Sequence, residues 1–366
     1  MSDKDDLVEQ AKELADPQST KSLMKRIGEL EYQLAVSEAE RKFQSAKSAQ
    51  AQEEVRSLKD RLDLIVEAQD ARTQSKLKLR AKRAPRNASA VVCLNDWHAE
   101  ERIDPATIGG ANEFTLDICH KRLERTWNKV LFLLDFSRSV SKVDELIVWL
   151  GGDLINNMIH EEASETNFMG PGEATTFIQD RVCEGLDLLL DKGKVDRILV
   201  VTSFGNHGRT TSRKRFGTGW THSWEWLAYC NLEKFYVGTN KVTWQIGRGY
   251  HNNVDIQGHN VRFHHGDGIR YAGGVGGVAI PLRKAIAQWN KQRRAAFDVL
   301  GHFHQYADDW YFTLCGCLCG YNAYALNIKA EFQDPTQTFL LIDKEYGKTM
   351  ALPIFCGLPK DTSPSV

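Results

Sequence analysis

Five times between residues 91 and 304 an apolar run with the composition of a buried strand ends in a cluster of side chains able to hold a metal ion. The segments are "VVCLNDWH" with Asp96 and His98, "IVWLGGD" with Asp153, "VVTSFGNH" with Asn206 and His207, "VRFHHGD" with His264, His265 and Asp267, and "FDVLGHFH" with His302 and His304. Apolar runs alternate with amphipathic stretches such as 113–137 and 173–192, which argues a compact α/β domain over residues 90–356. In an open α/β sheet, ligands gather beyond the carboxyl ends of strands, so five such ends can converge on one site. Glycines beside the polar residues, among them Gly152, Gly205 and Gly301, permit tight turns and close backbone approach.

Further strands are expected at "VTWQI", "WYFTLCG", "YALNIKAEF", "TFLLID" and "MALPIF", and further helices at "HSWEWLAYCNLEKFY" and near 281–294. Residues 1–84 differ in kind: they hold no Trp, one Phe and one Pro, and are rich in Ala, Glu, Gln, Lys and Ser. Leu23, Ile27, Leu30 and Leu34 keep a coiled-coil spacing that returns at Val55, Leu58, Leu62 and Ile65, with polar residues in register between them. This predicts a helical, coiled-coil arm over 1–84 that makes the chain a homo-oligomer; an exposed single helix is the alternative. Residues 72–89 form a basic linker overlapping the end of the arm, and 357–366 a flexible tail.

Carboxylate, imidazole and amide oxygen, with no obligatory thiolate, describe a site for hard or borderline divalent cations such as Mn, Fe, Zn or Mg. The candidates exceed the four ligands of one tetrahedral zinc. Two cations sharing a carboxylate would use them all, and a pair about 3.5–4 Å apart suits phosphoester hydrolysis by an activated water. Cys315, Cys317 and Cys319 in "LCGCLCG" read as small buried hydrophobes on a strand. His120, His160, His222, His251 and His259 read as ordinary core or surface histidines. Strand alternation admits only one of His264 and His265 to the site.

The order D-x-H, G-D, G-N-H, H-G, G-H-x-H resembles the calcineurin-like metallophosphoesterase superfamily. It occurs here as Asp96-Trp97-His98, Gly152-Asp153, Gly205-Asn206-His207, His265-Gly266 and Gly301-His302-Phe303-His304. The resemblance implies a four-layer αββα sandwich of two mixed sheets with a dinuclear site at one edge. It implies that Asp96, His98 and His304 hold one metal and Asn206, His265 and His302 the other, with Asp153 bridging. His207 would stay off the metals as general acid or transition-state stabiliser, a role suited to imidazole. Two departures, Gly208 where an acid is common and Asn95 where Ser is common, bear on how His207 is oriented. Asp267 could support a ligand from behind.

The superfamily includes protein phosphatases, phosphodiesterases and nucleases, so the substrate must be read elsewhere. Arg209, Arg213, Lys214 and Arg215 follow His207, with Phe216, Trp220, Trp224 and Trp226 behind them, and cations with aromatic faces suit nucleic-acid strands. The expectation is a manganese-dependent phosphodiesterase, a nuclease on DNA, similar in its core to the double-strand-break-repair nuclease subunit and resembling uncharacterised bacteriophage phosphoesterases. The alternatives are a phosphomonoesterase acting on nucleotides or phosphoproteins, and a non-catalytic oligomeric scaffold with a structural metal site. The acidic, polar start shows no export signal and no apolar run reaches membrane-spanning length, so a cytoplasmic location is expected, that of the host if the chain is phage-encoded, and no membrane partner.

Overall fold

The computed structural model describes residues 17–74, 85–271 and 276–357; expectations for 1–16, 75–84, the glycine-rich 272–275 and 358–366 lie outside them. The chain divides into two units at residues 83 and 84. Of the first, helix α1 (Pro17–Gln74) is continuous and opens on a proline, whose missing N–H costs nothing there. Its seam residues Leu30, Leu34, Leu58, Leu62 and Ile65 are exposed.

The second unit is built on two mixed sheets. The first joins β1 (Arg86–Leu94), β2 (Ser141–Leu150), β3 (Arg197–Thr202) and β4 (Val242–Ile246) in parallel, with the hairpin β10 (Thr336–Asp343) and β11 (Gly347–Phe355) antiparallel beside β1. The second runs β5 (Asn252–Ile256), β6 (His259–Phe263), β7 (Phe297–Leu300), β9 (Phe312–Leu314), β8 (Ala307–Asp308), with β6, β7 and β9 parallel. β1 thus begins within the stretch expected as linker.

The strands read as unbroken apolar runs because both of their faces are covered. Val91, Cys93, Ile147 and Trp149 meet Val254, Val261, Phe263 and Val299 of the second sheet. The alternate residues Ala90, Val92, Leu94, Leu146, Val148 and Leu150 pack outward against helices. Those helices are α2 (Leu116–Arg138), α4 (Pro171–Lys192) and α5 (Trp224–Phe235). Cys119, Leu123, Trp127, Val130 and Leu134 make one buried stripe on α2, whose Thr115 cap accepts from the Ile118 amide. Trp127 lies against α4 so closely that a Cβ on Gly185 would overlap its ring. Leu282 and Ile286 of α6 (Ala279–Trp289) cover the outer face of the second sheet at Leu300, Phe312 and Leu314. The layers are therefore helix, sheet, sheet, helix, and each fully buried Val or Leu adds about 1.5–3 kcal/mol.

Two readings differ from the expectation. "YALNIKAEF" is not a strand: Asn322 caps a short helix, α7 (Ala323–Asn327), by accepting from the Ala325 amide. The cysteine run lies past the end of β9, on a buried loop. The acidic "HEEASE" folds as α3 (Glu161–Thr166). Among the described residues no helix is long and apolar enough to cross a membrane.

Candidate metal centre

The parallel strands of both sheets deliver their carboxyl ends to one place, so residues from β1, β2, β3, β6 and β7 meet although they span positions 96 to 304. Asp96, His98 and His304 offer ligand atoms within 4.8 Å of one another, and so do Asp153, His265 and His302. A third group, His98, Asp153 and His207, joins the two. His98 Nε2 lies 3.2 Å from His304 Nε2, and His304 Nε2 lies 3.7 Å from Asp96 Oδ1. His265 Nε2 lies 3.0 Å from Asp153 Oδ2, and its Nδ1 donates to the Gly151 carbonyl. His264 turns the other way, toward Asp298 and the Trp289 ring.

The backbone shows how these side chains are presented. Asp96, His98, Asp153, His302 and His304 all have positive φ, between 44° and 72°, a region in which non-glycine residues are uncommon and which the surrounding structure must enforce. Gly152 and Gly205 pass so closely that a Cβ on either would overlap the other strand end, and a Cβ on Gly301 would strike Asp96. Asp96 Oδ2 accepts from the Asn95 amide group and the His302 backbone N–H, which leaves Oδ1 buried and unpartnered. Asn206 Oδ1 is also buried with no hydrogen-bond partner, although such groups are costly to strand. An orphaned carboxylate oxygen 3.7 Å from an imidazole nitrogen, as Asp96 Oδ1 is from His304 Nε2, fits a divalent cation, and the residue types present suit one.

Several supporting residues carry no local sequence signal. Asn156 serves two histidines: its Oδ1 bonds His98 Nδ1 at 3.1 Å and its carbonyl accepts from His207 Nδ1 at 2.9 Å. Glu100 accepts from the amides of Asn156 and Asn157. Glu225, on α5, accepts from the amides of Leu154 and Gly205 and fills the space that a side chain at position 208 would need. Gly208 is therefore matched by Glu225, and His207 is oriented by Asn156. His160, read as an ordinary histidine, stands edge-on to His207 with ring centroids 5.3 Å apart.

The expected substrate residues divide. Arg209 is tied to the carbonyls of Asn206 and Thr211, and Lys214 to Asp267, whose charge also acts on His265. Arg213 and Arg215 are exposed. Trp224 packs on the core and Trp220 meets Trp226 edge to face, so the tryptophans do not form an open stacking face. Phe216 is exposed, its ring against Tyr250. A cleft beside Asn206 is lined by Arg209, Lys214, Arg215, Phe216 and Tyr250.

The charges of the centre set a pH dependence. Burial lowers His265, but the charge and hydrogen bond of Asp153 outweigh it and raise the group to about 10. Burial, with the charge of Asp153 adding to it, raises Glu225 to about 8. A group raised in the folded state contributes stability that is complete below its unfolded value and is lost as pH rises through the folded one. Burial lowers His98, His207 and His302, whose opposite contributions end by the ordinary value of 6.5. His304, raised against burial by Cys317, is offset by Cys317, which is lowered by its hydrogen bond with Cys319 and by His304. With chelator present, thermal stability is expected to fall from about pH 6.5 to about 10, and less steeply once metal holds His265 neutral. A flat chelated profile over that window would contradict this account.

No family model matches the chain, and no curated protein matches it in sequence. Among solved structures it is similar to a conserved uncharacterized protein, a predicted phosphoesterase, from Streptococcus pneumoniae TIGR4, at 14% identity and TM-score 0.30 over 75% of this chain and 94% of that one. It is similar to a Vps29 single mutant from Entamoeba histolytica at 12% identity and TM-score 0.30, over 72% and 98% of the two chains. A hypothetical protein from Pyrococcus horikoshii OT3 gives 9% identity and TM-score 0.37, over 74% and 89%. At these values the functional reading rests on the site's own residues.

Proposed function

We propose that the chain is a metal-dependent phosphoester hydrolase and that it cuts phosphodiester bonds in nucleic-acid strands, DNA first. The observation that carries the reading is the pair of buried ligand triads, one containing Asp96, the other Asp153, with His207 held between them by Asn156. Asp96, His98 and His304 would hold one divalent cation, and Asn206, His265 and His302 a second, with Asp153 between. Two such ions, manganese being our first choice, would lower the pKa of a water and neutralise phosphate charge.

The remaining work falls to side chains. His207 donates from Nδ1 to a carbonyl, so Nε2 is its nitrogen for a leaving oxygen. Burial lowers His207 and Asp153 opposes that only in part; an arriving phosphate would add to the opposition and favour the imidazolium. Asp153 Oδ1 accepts from the His207 backbone amide at 2.7 Å, which fixes the acid relative to the metal ligands. Arg213 and Arg215 supply uncommitted charge for a strand backbone, and Phe216 with Tyr250 a surface for a base.

Incubating the manganese-loaded protein with single-stranded DNA, duplex DNA, RNA and nucleoside monophosphates tests this. Strand scission is expected. Phosphate release without scission would replace the nuclease by a phosphomonoesterase, and inertness toward the whole panel would leave a scaffold. We further propose that α1 oligomerises the chain through its exposed seam; light scattering on a chain cut at Pro85 should show fewer chains per particle, and an unchanged oligomeric state would refute it.

A further inference from the structure

We propose that His304, Cys317 and Cys319 form a second, thiolate-bearing cation site that takes zinc or another thiophilic divalent ion and competes for His304 with the carboxylate-imidazole centre. The three residues offer ligand atoms within 4.8 Å of one another, and both cysteines are buried. Both sulfurs point at the same acceptor, the Gly320 carbonyl, from 3.8 and 3.6 Å. Two thiols, which are weak donors, share one carbonyl at long range and are well placed as a pair of metal ligands.

The loop that carries them is fixed in advance. The Leu318 amide donates to the Asp96 carbonyl at 3.0 Å and the Thr336 amide to the Cys317 carbonyl at 2.9 Å. The Arg122 guanidinium forks onto the carbonyls of Leu318 and Cys319, and Asn112 adds a bond to Cys319. Such a loop holds its sulfurs in place before any ion arrives, which removes part of the ordering cost of binding. Glu101 stands beside the group: its Oε2 is buried with no hydrogen-bond partner, and its charge acts on His304 and on Cys319. With three protein ligands, the fourth position of tetrahedral zinc is left to a water.

Binding would leave two thiolates and a neutral imidazole on the ion, and the protons those three groups carried would go to solvent. Softness separates the two sites: thiolates draw zinc and cadmium, whereas carboxylate, amide and imidazole serve manganese or magnesium. His304 belongs to both groups, so filling the thiolate site disturbs the Asp96 and His98 site.

The test uses full-length protein and cadmium as the probe. With one equivalent of cadmium, X-ray absorption on the wild-type protein should count two sulfur neighbours, and a thiolate-to-metal band should appear in the ultraviolet. Only oxygen and nitrogen neighbours would overturn the proposal, and this measurement needs no variant. The Cys317→Ser, Cys319→Ser double variant, checked for folding by circular dichroism, should lose the band. Retention would place the sulfurs elsewhere, at Cys93 and Cys315 for example, and would also overturn it. Only the competition arm rests on the phosphoesterase reading: cadmium should abolish manganese-supported hydrolysis in the wild type and spare it in the double variant. Equal loss in both would reject competition for His304. A wild type that never hydrolyses phosphoesters would reject the phosphoesterase reading while the sulfur count still stands.

Discussion

Asparagine in place of His207 is expected to lower kcat for strand cleavage by about 10²–10⁴-fold while both metals remain bound. The substitution removes the ring that Asn156 holds at 2.9 Å through Nδ1, and with it the Nε2 proton that we propose for the departing oxygen. The backbone amide of residue 207 still donates to Asp153, so the ligand framework is kept. A substrate with a strongly acidic leaving group, such as bis(p-nitrophenyl) phosphate, needs little proton donation and should lose much less. Equal losses on the two substrates would exclude proton transfer as the task of His207. The imidazolium form is the donor, so kcat should decline as pH rises through the His207 value in the substrate complex.

Asp153→Asn should have the larger effect on metal content. Asp153 belongs to two of the ligand groups and is the carboxylate that joins them, with Oδ2 3.0 Å from His265. The asparagine keeps the shape and removes the charge. Affinity for both ions should fall by more than the roughly 100-fold that losing a group behind a ligand can cost. Calorimetry and metal analysis after dialysis read this directly. Asp96→Asn is the comparison, since Asp96 lies in one triad and should weaken one ion more than the other. A variant at position 153 that binds two ions as tightly as the wild type would remove the bridging role.

That Asp96, His98, Asp153, His207, His265, His302 and His304 would gather in one place was legible in the sequence because each lies next to the strand that presents it, and strands buried on both faces announce themselves as apolar runs. The choice between His264 and His265 needed the structure, since it turns on one residue of register, and the Gly151 carbonyl and Asp153 show which ring faces inward. Glu225 and Asn156 were not legible. Glu225 reaches the site across a helix that packs against the sheet, and Asn156 acts on His207 through a main-chain carbonyl, a role any residue type could fill. The strand expected at "YALNIKAEF" failed for a local reason, the Asn322 cap, which favours a helical turn there. Strand β5, "NNVDI", was missed because two asparagines and an aspartate outnumber its apolar residues, although Val254 and Ile256 alternate into the space between the sheets. Composition left the tryptophans open as a stacking surface or as core, and packing decides which aromatic rings remain outside.

The hairpin of β10 and β11 matters during synthesis. β1, which leads into Asp96, lies between β2 and β10, and β10 is made only after every proposed ligand. A nascent or truncated chain ending before Thr336 would own the whole ligand set yet leave the β1 edge unpaired, with Ala90, Val91 and Val92 open to another strand. Such a product would be prone to self-association whatever metal it met, so the last strands of the domain act as the seal that turns a set of ligands into a stable centre.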